Sequence, residues 1–103
     1  MSVQTKDFIK MLLRRHEQDL KTYGVKRLGI FGSFARNQQG EDSDVDILVE
    51  FEPGLKTYDN FINLVFFLEE IFNRNVDLIT PASLSPYLEP RIMEEVEYVP
   101  LNI

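Results

Sequence analysis

With 103 residues, 44% of them hydrophobic, and no cysteine, the chain suits one compact core and offers neither a disulfide framework nor a thiolate metal site. Its formal charge of −6 opposes the phosphate attraction on which basic nucleic-acid binders rely, so direct nucleic-acid binding is not expected. The longest apolar run, Leu64 to Leu68, falls far short of the roughly 20 residues that cross a bilayer, and Lys6, Asp7 and Lys10 interrupt the N-terminal segment, which excludes a signal-peptide reading. A single domain over residues 1–103, in the cytoplasm and away from membranes, is the expectation.

Phe8, Met11, Leu12, Leu20 and Tyr23 recur at helical spacing and predict one helix from about Thr5 to Tyr23, with Gly24 as its stop. Val25 to Phe31 reads as a strand that runs into Gly32, where a short helix opens at Ser33. After the polar loop Asn37 to Ser43, the residues Val45, Ile47, Leu48, Val49 and Phe51 make a second strand, ended by Pro53-Gly54. Thr57 and Asp59 are N-cap candidates for a helix whose apolar residues, Phe61 to Phe72, cover more than one face. Such a helix is either deeply buried or partnered, and Phe66 or Phe67 is expected to meet another chain in an oligomer or a complex. Asn73 to Asn75 break that helix, Val76 to Thr80 form a third strand, Leu88 to Val96 is helical, and Tyr98 to Leu101 adds a short edge strand. The alternation predicts an α/β fold, a small mixed sheet with helices packed on it.

The chemistry is expected where strands end. A helix opening at Gly32-Ser33 directs free backbone N–H groups outward, a geometry that suits phosphate, although the same dipeptide also serves as a plain tight turn with a serine cap. Asp44 and Asp46 stand at alternate positions of an otherwise apolar strand, which places both carboxylates on one face. Two acids side by side on a half-buried strand repel and lose hydration unless a cation lies between them, and oxygen-only donors favour Mg²⁺ or Mn²⁺ over zinc. The alternative leaves Asp44 in the solvated loop with Glu41 and Asp42, and Asp46 on an exposed face. Asp77, inside the apolar strand Val76-Asp77-Leu78-Ile79, joins the cluster if its strand lies beside the second one; otherwise it faces water. Three carboxylates and a phosphate-binding helix end are the parts of a two-metal phosphoryl-transfer site.

The segment Gly32-Ser33-Phe34-Ala35-Arg36, followed by Ser43-Asp44-Val45-Asp46-Ile47-Leu48-Val49, resembles the signature of the DNA polymerase beta-like nucleotidyltransferases. In particular it resembles the minimal nucleotidyltransferase (MNT) proteins that accompany HEPN-domain toxins, over nearly the whole chain. The resemblance implies that fold, and an antitoxin that transfers AMP from ATP to a tyrosine of its HEPN partner. Carried over, Gly32 and Ser33 hold the triphosphate, Asp44 and Asp46 bind the two Mg²⁺ ions expected, and Asp77 assists one metal and accepts the incoming hydroxyl's proton. Arg36 matches the family's arginine and either steadies phosphate charge or pins the turn through backbone carbonyls. Asn37 departs from the usual glycine, but asparagine tolerates positive φ. His16, the only histidine, reads as a solvated residue. Two other functions fit the same residues: adenylylation of a small molecule, or a non-catalytic module that blocks its partner by docking.

Overall fold

The Thr5 side chain accepts the Phe8 N–H and opens α1 (Lys6–Arg15) in the computed structural model, which describes residues 2–103. The single helix expected to reach Tyr23 is instead two. His16 leaves helical geometry (φ −105°, ψ 27°) and α2 (Glu17–Thr22) follows. The break falls within Arg14 to Asp19, a stretch with no apolar side chain to anchor a continuous helix on the core. It also turns the His16 ring inward: the ring meets Phe67 edge-on at 5.4 Å and bonds to Asp19, so this histidine is a half-buried junction residue rather than a solvated one.

Gly24 (φ 82°) turns the chain into β1 (Val25–Phe31), which passes directly into α3 (Gly32–Ala35). β2 (Val45–Phe51) follows the acidic loop, and α4 (Tyr58–Phe72) is capped by Thr57 through the Asn60 N–H. Asn73, at φ 52°, ends α4 in the left-handed region, and β3 (Val76–Ile79) begins three residues later. A 3₁₀ turn (Pro81–Ser83), α5 (Glu89–Glu95) and β4 (Glu97–Tyr98) complete the chain. β4 is shorter than the Tyr98–Leu101 strand expected, because Pro100 has no N–H to give; pairing stops after the Val99 N–H reaches the Leu28 carbonyl at 2.9 Å.

The sheet order is β3-β2-β1-β4, with β1 antiparallel to β2 and β4 and with β2 parallel to β3 through α4. It is therefore the small mixed sheet expected. Val45, Ile47 and Val49 of β2, with Leu28 and Ile30 of β1 and Leu78 of β3, join Ile9, Leu13, Leu20, Leu64, Leu68 and Phe72 in one core. Strand alternation turns Asp46 and Asp77 to the face away from that core. On α4, Phe67 packs on Tyr23 and His16, whereas Phe66 is 61% exposed. No helix among the described residues is long and apolar enough to cross a membrane.

The edge strand is tied to α1 by charge: Glu97 accepts from Lys6 at 2.7 Å and Lys10 at 2.6 Å, and these two ammonium groups hold its carboxyl below the usual carboxylate range. A lowered folded value contributes stability that is complete above the unfolded value and is lost as pH falls through the folded one. Glu97→Gln should therefore lower the melting temperature at pH 7 and flatten its fall between pH 5 and pH 3, with 1 M salt narrowing the difference from the parent. Melting curves against pH at two salt concentrations check this; an unaltered acid limb would show that the lysines do not hold the strand.

Candidate active site

Asp46 occupies the second position of β2, opposite Phe31 on β1 and opposite Asp77 on β3. Register partners on parallel strands project from the same face about 4.8 Å apart, so the Asp46 and Asp77 side chains are neighbours. The sequence expectation that Asp77 joins the acid pair depends on that parallel register, and the register supplies it. Asp44 does not lie within the strand as expected. It is the last residue of the preceding loop, exposed, and β2 starts at Val45, whose N–H is bound by the Asn75 carbonyl at 2.9 Å. Two residues from Asp46, it still reaches the same rim.

Gly32 turns back over Asp46 at φ 73°, a conformation that residues with a side chain rarely adopt. A Cβ there would stand 1.9 Å from the Asp46 carboxylate oxygen Oδ2. The glycine is thus required twice, for its backbone angle and because the carboxylate fills the space that a side chain would use. Asp46 responds to this confinement: its carboxyl is pushed up from 3.8 to about 6, first by burial, then by the Asp77 and Asp44 charges, with Arg36 opposing and Glu95 adding to the rise.

Glu95 is a site residue that the sequence did not disclose. From the end of α5 its carboxylate accepts the Gly32 N–H at 2.9 Å and an Arg36 guanidinium N–H at 2.8 Å. Arg36 also donates to the Gln38 side chain at 3.1 Å. It pins the turn through side chains, not through the backbone carbonyls considered from sequence. Asn37 takes φ 57°, as its position after the arginine requires. With the Gly32 N–H and Arg36 held by Glu95, the first-turn N–H groups of Ser33 and Phe34 and the Ser33 hydroxyl are the donors without an intrahelical acceptor. A cleft of about 420 Å³ lies behind Asp44, lined by Glu41, Asp42, Glu69 and Arg74 among others. Gly32, Asp46 and Asp77 do not line it; they stand on the outer face of the sheet, a shelf on which Asp46 is half-buried and Asp77 exposed.

Among the described residues, no three His, Cys, Asp or Glu side chains are grouped so as to hold a metal ion by themselves, so Asp44, Asp46 and Asp77 do not yet form a three-carboxylate ligand set. What the face supplies is oxygen donors only, with excess negative charge at Asp46 that a cation would relieve; this fits a hard divalent ion of the Mg²⁺ class and not zinc. The raised Asp46 value means that protonation stabilises the cation-free protein below the unfolded value of 3.8, a contribution lost as pH rises to about 6. Asp46→Asn should therefore raise the melting temperature of the cation-free protein at pH 7 by several degrees, about 1 kcal/mol being worth ~4–8 °C in a domain of this size, and should remove the loss of stability that Asp46 causes as pH rises from 4 to 6, leaving the opposite contribution of Glu97. Melting in EDTA across that range measures it; a destabilised variant would show that the carboxylate is not under strain.

Residues 13–99 match the nucleotidyltransferase domain family. Over 100 residues the chain is 38% identical to the protein adenylyltransferase MntA of Thermococcus cleftensis, covering 96% of this chain and 100% of that protein. The solved structure of a candidate minimal nucleotidyltransferase superposes with a TM-score of 0.69 at 32% identity, over 85% of this chain and 93% of that one. A chain from the complex of a tri-AMPylated HEPN toxin of Shewanella oneidensis with an MNT antitoxin shares the fold, with a TM-score of 0.61 at 19% identity over 90% of this chain and 73% of its own. The chain belongs to the nucleotidyltransferase domain family, as a homologue of MntA and of the minimal nucleotidyltransferases.

Proposed function

We propose that this protein transfers AMP from ATP to a tyrosine hydroxyl of a partner HEPN-domain toxin and so acts as its antitoxin. The observation that carries the reading is the pairing of Asp46 with Asp77 beside the Gly32-Ser33 turn, which brings an acidic face and a phosphate-binding helix start together. The relationship to MntA over 96% of this chain and the whole of that protein supports it. So does the complex of an AMP-bearing HEPN toxin with an MNT antitoxin, whose fold this chain shares.

In this reading the Ser33 and Phe34 N–H groups and the Ser33 hydroxyl receive the triphosphate, and Gly32 keeps that turn close to Asp46. Asp44, Asp46 and Asp77 would hold Mg²⁺, which when bound supplies charge neutralisation for the triphosphate and for the developing negative oxygens. Asp77 faces the open side of the shelf and takes the proton from the tyrosine hydroxyl as its oxygen bonds to the α-phosphorus. The bond from that phosphorus to the bridging oxygen breaks, and pyrophosphate leaves. The relationship to a protein adenylyltransferase favours a protein acceptor over a small molecule.

Incubating the protein with ATP, Mg²⁺ and its HEPN partner should give mass increments of AMP on a tyrosine-containing partner peptide; a neutralised but unmodified partner would establish docking alone. Asp44→Asn and Asp46→Asn should abolish Mg²⁺-dependent ATP binding measured by calorimetry. Asp77→Asn should keep that binding and lose at least the roughly 10²-fold in transfer rate that a general base contributes; transfer at the parent rate would leave Asp77 as a strand residue facing water. Phe66, exposed on α4, is the proposed apolar contact to a partner or second copy. Phe66→Asp should melt as the parent does yet reduce complex mass in light scattering, and unchanged assembly would remove α4 from the interface.

A further inference from the structure

Arg74, between α4 and β3, spends its guanidinium entirely on backbone. Its Nε–H donates to the Val3 carbonyl at 2.8 Å, and its Nη1 lies 2.9 Å from the Gly40 carbonyl, 3.1 Å from that of Glu41 and 2.9 Å from that of Ser43. Three carbonyls thus converge on one nitrogen that carries two hydrogens. Without a cation at that point their dipoles would repel and the loop would open. The other side of the guanidinium covers the Phe34 ring at 5.0 Å, in the helix that begins at Gly32. Although Glu41, Asp42 and Asp44 belong to the loop it holds, Arg74 makes no ion pair with any of them among the described residues.

We infer that Arg74 is a positioning residue that fixes the loop bearing Asp44 at a set distance from the Gly32-Ser33 turn while leaving the loop's carboxylates unneutralised for a divalent cation. This rests on the proposed assignment of Asp44 as a cation ligand. A carboxylate-paired arginine would order the loop equally well but compete with the cation for the acids; bonding to carbonyls separates the two tasks. Lysine cannot substitute, because one ammonium on a flexible stem does not reach Val3 and the loop at once while standing over Phe34.

The test is Arg74→Lys, read by binding and not by turnover. Its melting temperature should fall only slightly, the amides of Gly40 and Ser43, whose acceptors lie within the loop, should exchange hydrogen at least tenfold faster while those of the β-strands do not, and the Mg²⁺ concentration for half-maximal ATP binding should rise at least fivefold. At saturating Mg²⁺, ATP affinity should return close to that of the parent. An unchanged Mg²⁺ midpoint in the folded variant, or faster exchange spread evenly over the chain, would overturn the inference. A second measurement needs no variant: in the parent, the Gly40 and Ser43 amides, which bond to the Ser43 hydroxyl and the Gly40 carbonyl, should already be protected before Mg²⁺ is added, and protection that develops only with Mg²⁺ would equally overturn it. Absence of Mg²⁺-dependent ATP binding in the parent would instead remove the proposed function, so the two failures are distinct.

Discussion

The Asp46 carboxylate sits half-buried in a confined place: the Gly32 backbone lies over it, Asp77 stands beside it, and the strand that carries it is buried on its other face. Most of the local architecture follows from keeping a charged group in that place. Only glycine fits at position 32, and the turn that the glycine makes is what presents the next N–H groups outward. The parallel pairing of β2 with β3 adds a second carboxylate where the first already loses hydration. The confinement destabilises the cation-free fold, a cost that the proposed cation would relieve.

Around this centre the stabilising contacts are long in sequence. Glu95 reaches back 63 residues to Gly32, Arg74 reaches back 34 to Gly40, and Lys6 reaches forward 91 to Glu97. Each joins segments that helix or strand propensity could not bring together. The two arginines near the site divide the work by partner type: Arg36 is held by a carboxylate and lowers the negative charge felt by Asp46, while Arg74 orders a loop without changing its charge. A cation site needs both effects, since too much neutralisation would remove its attraction and too little would leave its loops disordered.

Much of this was legible in residue order. The spans of β1 and β2 follow from apolar runs bounded by Gly24, Gly32 and Pro53-Gly54, and the conformation of Asn37 follows from the turn it must complete. The grouping of Asp46 with Asp77 was conditional on strand order, which no local signal carries. The break at His16 escaped notice because Leu13 and Leu20, seven residues apart, fall on one face of a straight helix as well as of a broken one. Glu95 and Arg74 were illegible for a different reason: their charge is visible in the sequence, but the distant backbone that a long side chain will meet is decided only when the sheet is assembled.

The pairing of β4 with β1 bears on when the protein becomes competent. β1 is complete at residue 31, yet its outer neighbour and the Glu95 carboxylate that binds Gly32 arrive with residues 95–98. During synthesis at about 5–20 residues per second, the turn at Gly32 is left without its acceptor for several seconds. A nascent chain can bury α1, β1, β2 and α4 against one another and still lack a fixed turn. The turn thus depends on the end of α5 and on β4, and a chain truncated before Glu95 would keep much of its core yet lack the carboxylate that holds Gly32.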